Sequence, residues 1–170
     1  MLWVYVVGCL VVALGASAFF GAPYVPSRRR DVRRMFDELV PISSDDVVLD
    51  IGSGDGIVLR EVSRRGARAI GYEIHPFFFI LSKILSFGDS RVNVRLVNAW
   101  TTQFPNDVTV LYAFSVGRDG VKLARTVQKE VERLGRPLKL VCYGNALPGI
   151  VPAESFEAYF LYIFRPLHRT

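Results

Sequence analysis

The sequence predicts an α/β domain, a mostly parallel sheet with helices on both faces, preceded by one apolar N-terminal helix. Three observations carry this. From Val47 onward, short apolar runs alternate with segments of helical period; the first run stops at a glycine-rich turn, Gly52-Ser53-Gly54-Asp55-Gly56; and residues 1–22 carry no charged side chain. A chain of 170 residues has room for one domain of ordinary size plus a short appendage.

Leu2 to Ala22 are aliphatic, small or aromatic throughout. A helix of about 20 residues spans the roughly 30 Å hydrocarbon layer of a bilayer. Trp3 and Tyr5 at one end, and Phe19, Phe20 and Tyr24 at the other, suit the two interfaces. A cleavable signal peptide would place basic residues before a shorter apolar core. Here Arg28, Arg29, Arg30, Arg33 and Arg34 follow the apolar run instead. A buried core helix is the third reading. By the positive-inside rule the expectation is a single-pass anchor at residues 1–22 embedded in the lipid bilayer. The N-terminus lies outside and the following domain is cytoplasmic, or on the matrix side of a mitochondrial membrane.

The same arginines account for the net charge. Lys and Arg total 21 against 16 Asp and Glu, and without these five the counts balance at 16. An excess confined to one stretch fits topology and anionic lipid headgroups; a nucleic-acid face would spread basic residues over the domain. No nucleic-acid partner is expected. Cys9, Cys142, His75 and His168 are isolated from one another, so neither a disulfide framework nor a metal site is expected.

Residues 21–27, GAPYVPS, break the first helix with prolines. An amphipathic helix over 28–40 follows, with Val32, Met35, Phe36 and Leu39 on one face. The chain thus divides into 1–22 as anchor, 23–46 as link and amphipathic helix, and 47–170 as the α/β domain. Strands are predicted at 47–51, 67–73, 92–97, 108–114 and 138–143, with a sixth at 156–164 on an edge. Helices are predicted at 57–65, 76–87 and 119–134. Pro76 opens the second of these and Gly88 follows it; Asp119 caps the third and Gly135 ends it. The helix at 76–87 is apolar nearly all round, through Phe77, Phe78, Phe79, Ile80, Leu81, Ile84, Leu85 and Phe87. It is expected to be buried against the sheet; the alternative puts its outer face on a bilayer or a membrane-embedded substrate. The charged face of the helix at 119–134 reads as solvated and nothing more.

Chemistry concentrates at Asp50 to Gly56. An apolar strand ends in an acid, and a G-x-G-x-G turn opens a helix, because the backbone must turn tightly and admit a ligand closely. Glu73 ends the next strand 17 residues after Gly56. In dinucleotide-binding folds an acid there binds ribose hydroxyls. A diphosphate at this helix N-terminus would be repelled by Asp50 and Asp55 flanking the turn. A ligand with an amino group and a sulfonium suits that charge, so S-adenosylmethionine fits where NAD fits poorly. A purely structural glycine turn is the bland alternative.

The link PYVPS, the turn DIGSGDG and the segment GYEIHP, together with the apolar N-terminus, resemble one family of small class I methyltransferases. These are the membrane-anchored lysine methyltransferases of the ATP synthase c subunit and the adenine nucleotide translocase, with prokaryotic relatives. The resemblance covers most of residues 20–115. It implies a Rossmann-like class I methyltransferase sheet with S-adenosyl-L-methionine as cofactor. Asp50, Gly52, Ser53, Gly54, Asp55 and Gly56 would line its methionine and ribose part, and Glu73 would hold the ribose. Residues 23–27 would fold over the active site. Three positions depart from the family pattern: Asn98-Ala99-Trp100 stands where Asp-Leu-Trp is usual, His75 replaces asparagine, and Ser115-Val116-Gly117 replaces a proline-containing turn. The Asn98 carbonyl can still accept from the adenine amino group.

The expected activity is methyl transfer to a lysine amine of a membrane-associated protein. No protein nucleophile is needed; orientation and desolvation carry the rate. A lysine is neutral in only about 1 in 2,500 molecules at pH 7, and an apolar pocket beside a cation would raise that fraction. Tyr24, Trp100 and Phe114 are the candidate walls of such a pocket. A methyltransferase for a lipid or small amphiphile, and a cofactor-binding scaffold without turnover, are the alternatives.

Overall fold

The computed structural model describes residues 3, 5, 8 and 27–167. Helix α1 (Arg29–Glu38) buries Val32, Met35 and Phe36, the apolar stripe read from its sequence. Strand β1 (Val47–Ile51) leads through the glycine turn into α2 (Ile57–Arg64), then β2 (Arg68–Glu73), α3 (Pro76–Leu85) and β3 (Val92–Leu96). After a long turn come β4 (Val110–Ser115), a 3-10 turn at Gly117–Asp119 and α4 (Gly120–Leu134). Strands β5 (Leu138–Gly144), β6 (Glu154–Phe156) and β7 (Tyr159–Phe164) complete the chain.

The seven strands lie in the order β3-β2-β1-β4-β5-β7-β6. The first five are mutually parallel, whereas β7 runs antiparallel to both β5 and β6, so the sheet is mixed. The order in which successive strands are added reverses between β1 and β4, and ligands of such sheets sit outside the carboxyl ends at that point. On one face α1 and α2 pack over Val48, Val110, Val141 and Leu161. On the other, Leu123, Val127 and Val131 of α4 cover Leu49, Leu111 and Leu140.

Several expectations are corrected. A single strand over 156–164 becomes a hairpin, because Glu157 takes a left-handed φ of 52° and folds Phe156 back onto Tyr159. With no glycine or asparagine at that turn, the sequence reads as continuous. The resulting β7 is internal, and β6 takes the edge.

The transmembrane anchor and the single-pass localisation built on it are not supported: among the described residues no helix is long and apolar enough to cross a membrane. Residues 1–22, apart from the exposed Trp3, Tyr5 and Gly8, lie outside the described residues. Nor are all the arginines that implied the topology turned toward headgroups. Arg29 pairs with buried Glu61, and Arg34 with Glu157, so the fold itself uses them.

Helix α3 is not buried. Only Ser82 is fully covered, Ile80 and Ile84 are more than half exposed, and Phe87 just beyond the helix is 94% exposed. Phe79 alone of its large side chains joins the core cluster. Helix α4, by contrast, has a charge that works inward. Glu130 is buried and accepts from the Phe104 amide at 3.1 Å, while Arg133 donates to the Phe104 carbonyl at 2.7 Å. The pair holds residues 103–106 against the helix. Asp119 occupies the N-cap position of α4 without a side-chain capping bond.

Candidate active site

The carboxyl ends of β1 and β2 bring the acids together. Asp50 lies in register with Gly71 of β2, and alternation puts Glu73 on the same face. The turn between β1 and α2 keeps Gly52, Gly54 and Gly56 at φ of 79°, 54° and 78°, which bulkier residues adopt at a cost. The Gly52 and Ser53 amides both donate to the Tyr72 carbonyl, at 2.8 and 3.1 Å, so the turn is pinned to β2.

Glu73 does more than end a strand. One carboxylate oxygen accepts from the Gly54 amide at 2.8 Å and the other from the His75 amide at 2.8 Å. Each oxygen retains a lone pair for a further donor. Position 71 must be glycine for a packing reason: a Cβ there would come within 2.6 Å of Ser53 Oγ and 2.7 Å of a Leu59 methyl. The sequence offered Gly71 only as part of the GYEIHP segment, and its role was missed.

Asp50 is buried, and burial, followed by the Glu73 and Asp55 carboxylates, pushes its carboxyl well above the usual range. Asp55 is differently placed. Its carboxylate accepts from the Ile57 amide at 3.1 Å and pairs with Arg60 at 3.4 Å, capping the start of α2. The two acids beside the turn are therefore unequal: Asp55 is largely satisfied by the chain, whereas Asp50 is held in a state that a cation would relieve. Ser53 Oγ and His75 Nδ1 are buried without partners.

The donor set fits a nucleoside bearing positive charge. Glu73 offers lone pairs to hydroxyls, and a Cβ at Gly52 would meet nothing within 4 Å, so the space above the turn is open. Ile74, next to Glu73, is an exposed apolar side chain that composition alone did not single out. Asn98 lies beyond β3, where its side-chain oxygen accepts from the Trp100 amide at 2.9 Å and retains one lone pair.

Of the three candidate pocket walls, the two described, Trp100 and Phe114, lie on opposite faces of the sheet. Trp100 packs on the α4 side of the sheet, with the Lys122 ammonium 4.4 Å above its ring. Phe114 lies on the opposite face, 5.7 Å from the Tyr143 ring. Tyr24 lies outside the described residues; the nearest described residue of its segment, Ser27, places Oγ 3.5 Å from the Tyr112 hydroxyl.

No protein-family model matches this chain. It is 25% identical over 146 residues to a lysine N-methyltransferase of the ATP synthase c subunit from Xenopus laevis, covering 82% of this chain and 62% of that protein. It is 40% identical over 55 residues to a protein-lysine N-methyltransferase of Saccharolobus islandicus (strain REY15A), covering 31% of this chain and 34% of that one. The chain thus spans less than two thirds of the length of either relative. Among solved structures, an RNA methyltransferase from Salinibacter ruber in complex with S-adenosyl-L-homocysteine superposes with a TM-score of 0.73 at 22% identity, over 86% of this chain and 97% of that one. A dimethyladenosine transferase from Plasmodium falciparum gives 0.59 at 19% identity, over 71% and 43%. The fold is that shared by S-adenosylmethionine-dependent methyltransferases, and the sequence is similar to protein-lysine N-methyltransferases.

Proposed function

We propose that this chain binds S-adenosyl-L-methionine at the carboxyl ends of β1 and β2 and directs its methyl group to a lysine amine of a protein. The observation that carries this is the Glu73 carboxylate locked onto the Gly54 amide, with buried Asp50 beside it in want of a positive charge. Similarity to two lysine N-methyltransferases supports the choice of acceptor.

Under this reading Glu73 accepts from the ribose hydroxyls, Gly52, Ser53 and Gly54 let the ligand approach the backbone, Gly56 lets Ser82 of α3 pack close against the turn, and Asp50 faces the ligand's positive end. Asp55 keeps the helix start in place, Asn98 meets the adenine edge, and Ile74 offers apolar surface to the ring. When bound, S-adenosylmethionine supplies a methyl group on a cationic sulfur. The chain's own part is to hold the acceptor in line and exclude water; good orientation alone is worth on the order of 7–11 kcal/mol of barrier. An acceptor amine surrenders its proton to solvent before it reacts, so no side chain here has to act as nucleophile.

The test is incubation of the full chain with tritiated S-adenosylmethionine and protein extract of its host, followed by mass spectrometry. Label in methyl-lysine supports the proposal. Label confined to lipid, RNA or small molecules would refute the acceptor, and no transfer to any fraction would refute the activity.

A further inference from the structure

Strand β3 forms one edge of the sheet, and among the described residues no strand pairs with its outer side. Its backbone groups divide by position. The Arg91 carbonyl accepts from the Ala69 amide and the Val97 amide donates to the Glu73 carbonyl, so the odd-numbered residues bond to β2. The backbone groups of Val92, Val94 and Leu96 therefore point away from the sheet. No proline blunts this edge, and its register with β2 runs unbroken from Val92 to Leu96. Such an edge is a template for another strand.

Helix α3 packs on β3 and β2 and presents an apolar stripe beside the same edge. On one side of the helix Ser82 sits so close to Gly56, at the start of α2, that a Cβ there would have no room. Half a turn round lie Phe77, Ile80 and Ile84, with Phe87 just beyond the helix. This stripe points away from α2, toward the β3 edge, and each member is about half exposed or more. Leu85 and Leu96 extend it. At roughly 200 Å² for a fully open side chain of this size, the six present on the order of 700 Å², against ~800 Å² per partner in a standard interface. Scattered apolar residues are ordinary on a surface, whereas a contiguous patch of this size marks a contact with another molecule.

We propose that a second copy of this chain covers both features, through antiparallel pairing of β3 with its copy about a twofold axis at Val94. The two sheets then run on as one, with both α3 helices on the same face and their apolar stripes against each other. The outward-pointing groups select this register. Val94 exchanges both backbone bonds with the partner's Val94, and the Leu96 amide donates to the partner's Val92 carbonyl. The Val92 amide is already engaged by the Asp89 carbonyl at 3.2 Å. Val92 and Val94 belong to the core under the helices, so the pairs on that face are Val94 with Val94 and Val92 with Leu96, apolar throughout. On the other face Asn93 meets the partner's Arg95, so no like charges are opposed. An axis at Asn93 or Arg95 would need backbone groups that β2 already holds, and at Arg95 it would set two guanidinium groups against each other. The pairing goes beyond the methyltransferase reading and does not depend on it.

The experiment is fluorescence-detected sedimentation velocity of the full chain in a mild non-ionic detergent, which shields the apolar residues 2–22. Concentrations from about 1 nM to 100 μM span the affinities found for interfaces of this size. The parent is expected to form a dimer within that range. Asn93→Arg opposes Arg95 of the partner subunit and should raise the dissociation constant at least tenfold, whereas Asn93→Asp should lower it at least threefold. Ile84→Glu, on the helix stripe, should also raise it at least tenfold. Asn93 and Ile84 are exposed, so near-UV circular dichroism should match the parent in all three variants and separate lost pairing from lost folding. Val151→Arg and Val151→Asp, in the exposed loop before β6, change the net charge equally and should leave the dissociation constant unmoved. Opposite responses to the two Asn93 variants, absent from the Val151 pair, uphold the proposal. A parent that stays monomeric throughout, or a dimer that responds alike to Asn93→Arg and Asn93→Asp, overturns it.

Discussion

The Gly54 amide donates to the Glu73 carboxylate across 2.8 Å, so an acid at the tip of β2 fixes the shape of the turn that leaves β1. One side chain thereby sets the backbone of the turn and, under the proposed cofactor reading, offers lone pairs to the ligand as well. Glu73→Ala should lower S-adenosylmethionine affinity by at least tenfold in calorimetric titration, in line with the ~1.5–3 kcal/mol of a hydrogen bond to a charged group. Glu73→Gln, which keeps one acceptor oxygen, should fall between that variant and the parent.

Under the proposed cofactor reading, Asp50 trades stability for binding. Burial and the nearby carboxylates oppose its charge. Asp50→Asn should therefore raise the melting temperature of the ligand-free chain at neutral pH, by about 2–4 °C if ~1 kcal/mol is recovered. The same variant should bind S-adenosylmethionine at least tenfold more weakly. Thermal denaturation and titration of one preparation check both arms.

The pH dependence follows from the same group. Its folded value is raised above 3.8, so in the window from there upward the folded chain holds a proton that the unfolded chain has lost. Stability of the ligand-free chain falls as pH rises through that window. A cationic ligand favours the ionised carboxylate and expels the proton, so affinity should rise with pH, by at most about tenfold per unit. Titrations in buffers of different ionisation enthalpy would reveal the released proton.

Gly71→Ala would drive a methyl into Ser53 Oγ and Leu59. Overpacking of this kind costs about 1–3 kcal/mol, or a fall of roughly 5 °C in melting temperature. Because Ser53 belongs to the glycine turn, cofactor affinity should fall as well. A variant as stable as the parent would show that the turn yields easily.

The parts of this structure written in local sequence were legible. Strand β1 is an apolar run interrupted only by Asp50 and stopped by glycines, and its bounds match the expectation. The acid at Glu73 could be found because a strand end and a spacing announce it. Contacts made across the chain were not. Nothing near Glu130 tells that it reaches back 26 residues to the Phe104 amide. The hairpin at Glu157 lacks the glycine or asparagine that usually marks such a turn. Tyr143 and Tyr159 read as ordinary strand residues, and only the register sets them side by side. Trp100 and Phe114 are both expected to wall one pocket, yet the sheet separates them by face.

Isothermal titration of the parent chain with S-adenosylmethionine, beside the Asp50→Ala/Glu73→Ala double variant, bears most directly on the site. The parent should take up one ligand per chain, and the folded double variant should bind at least a hundredfold more weakly. No heat from the parent, or equal affinity in both, would show that the carboxyl ends of β1 and β2 are not where the nucleoside sits.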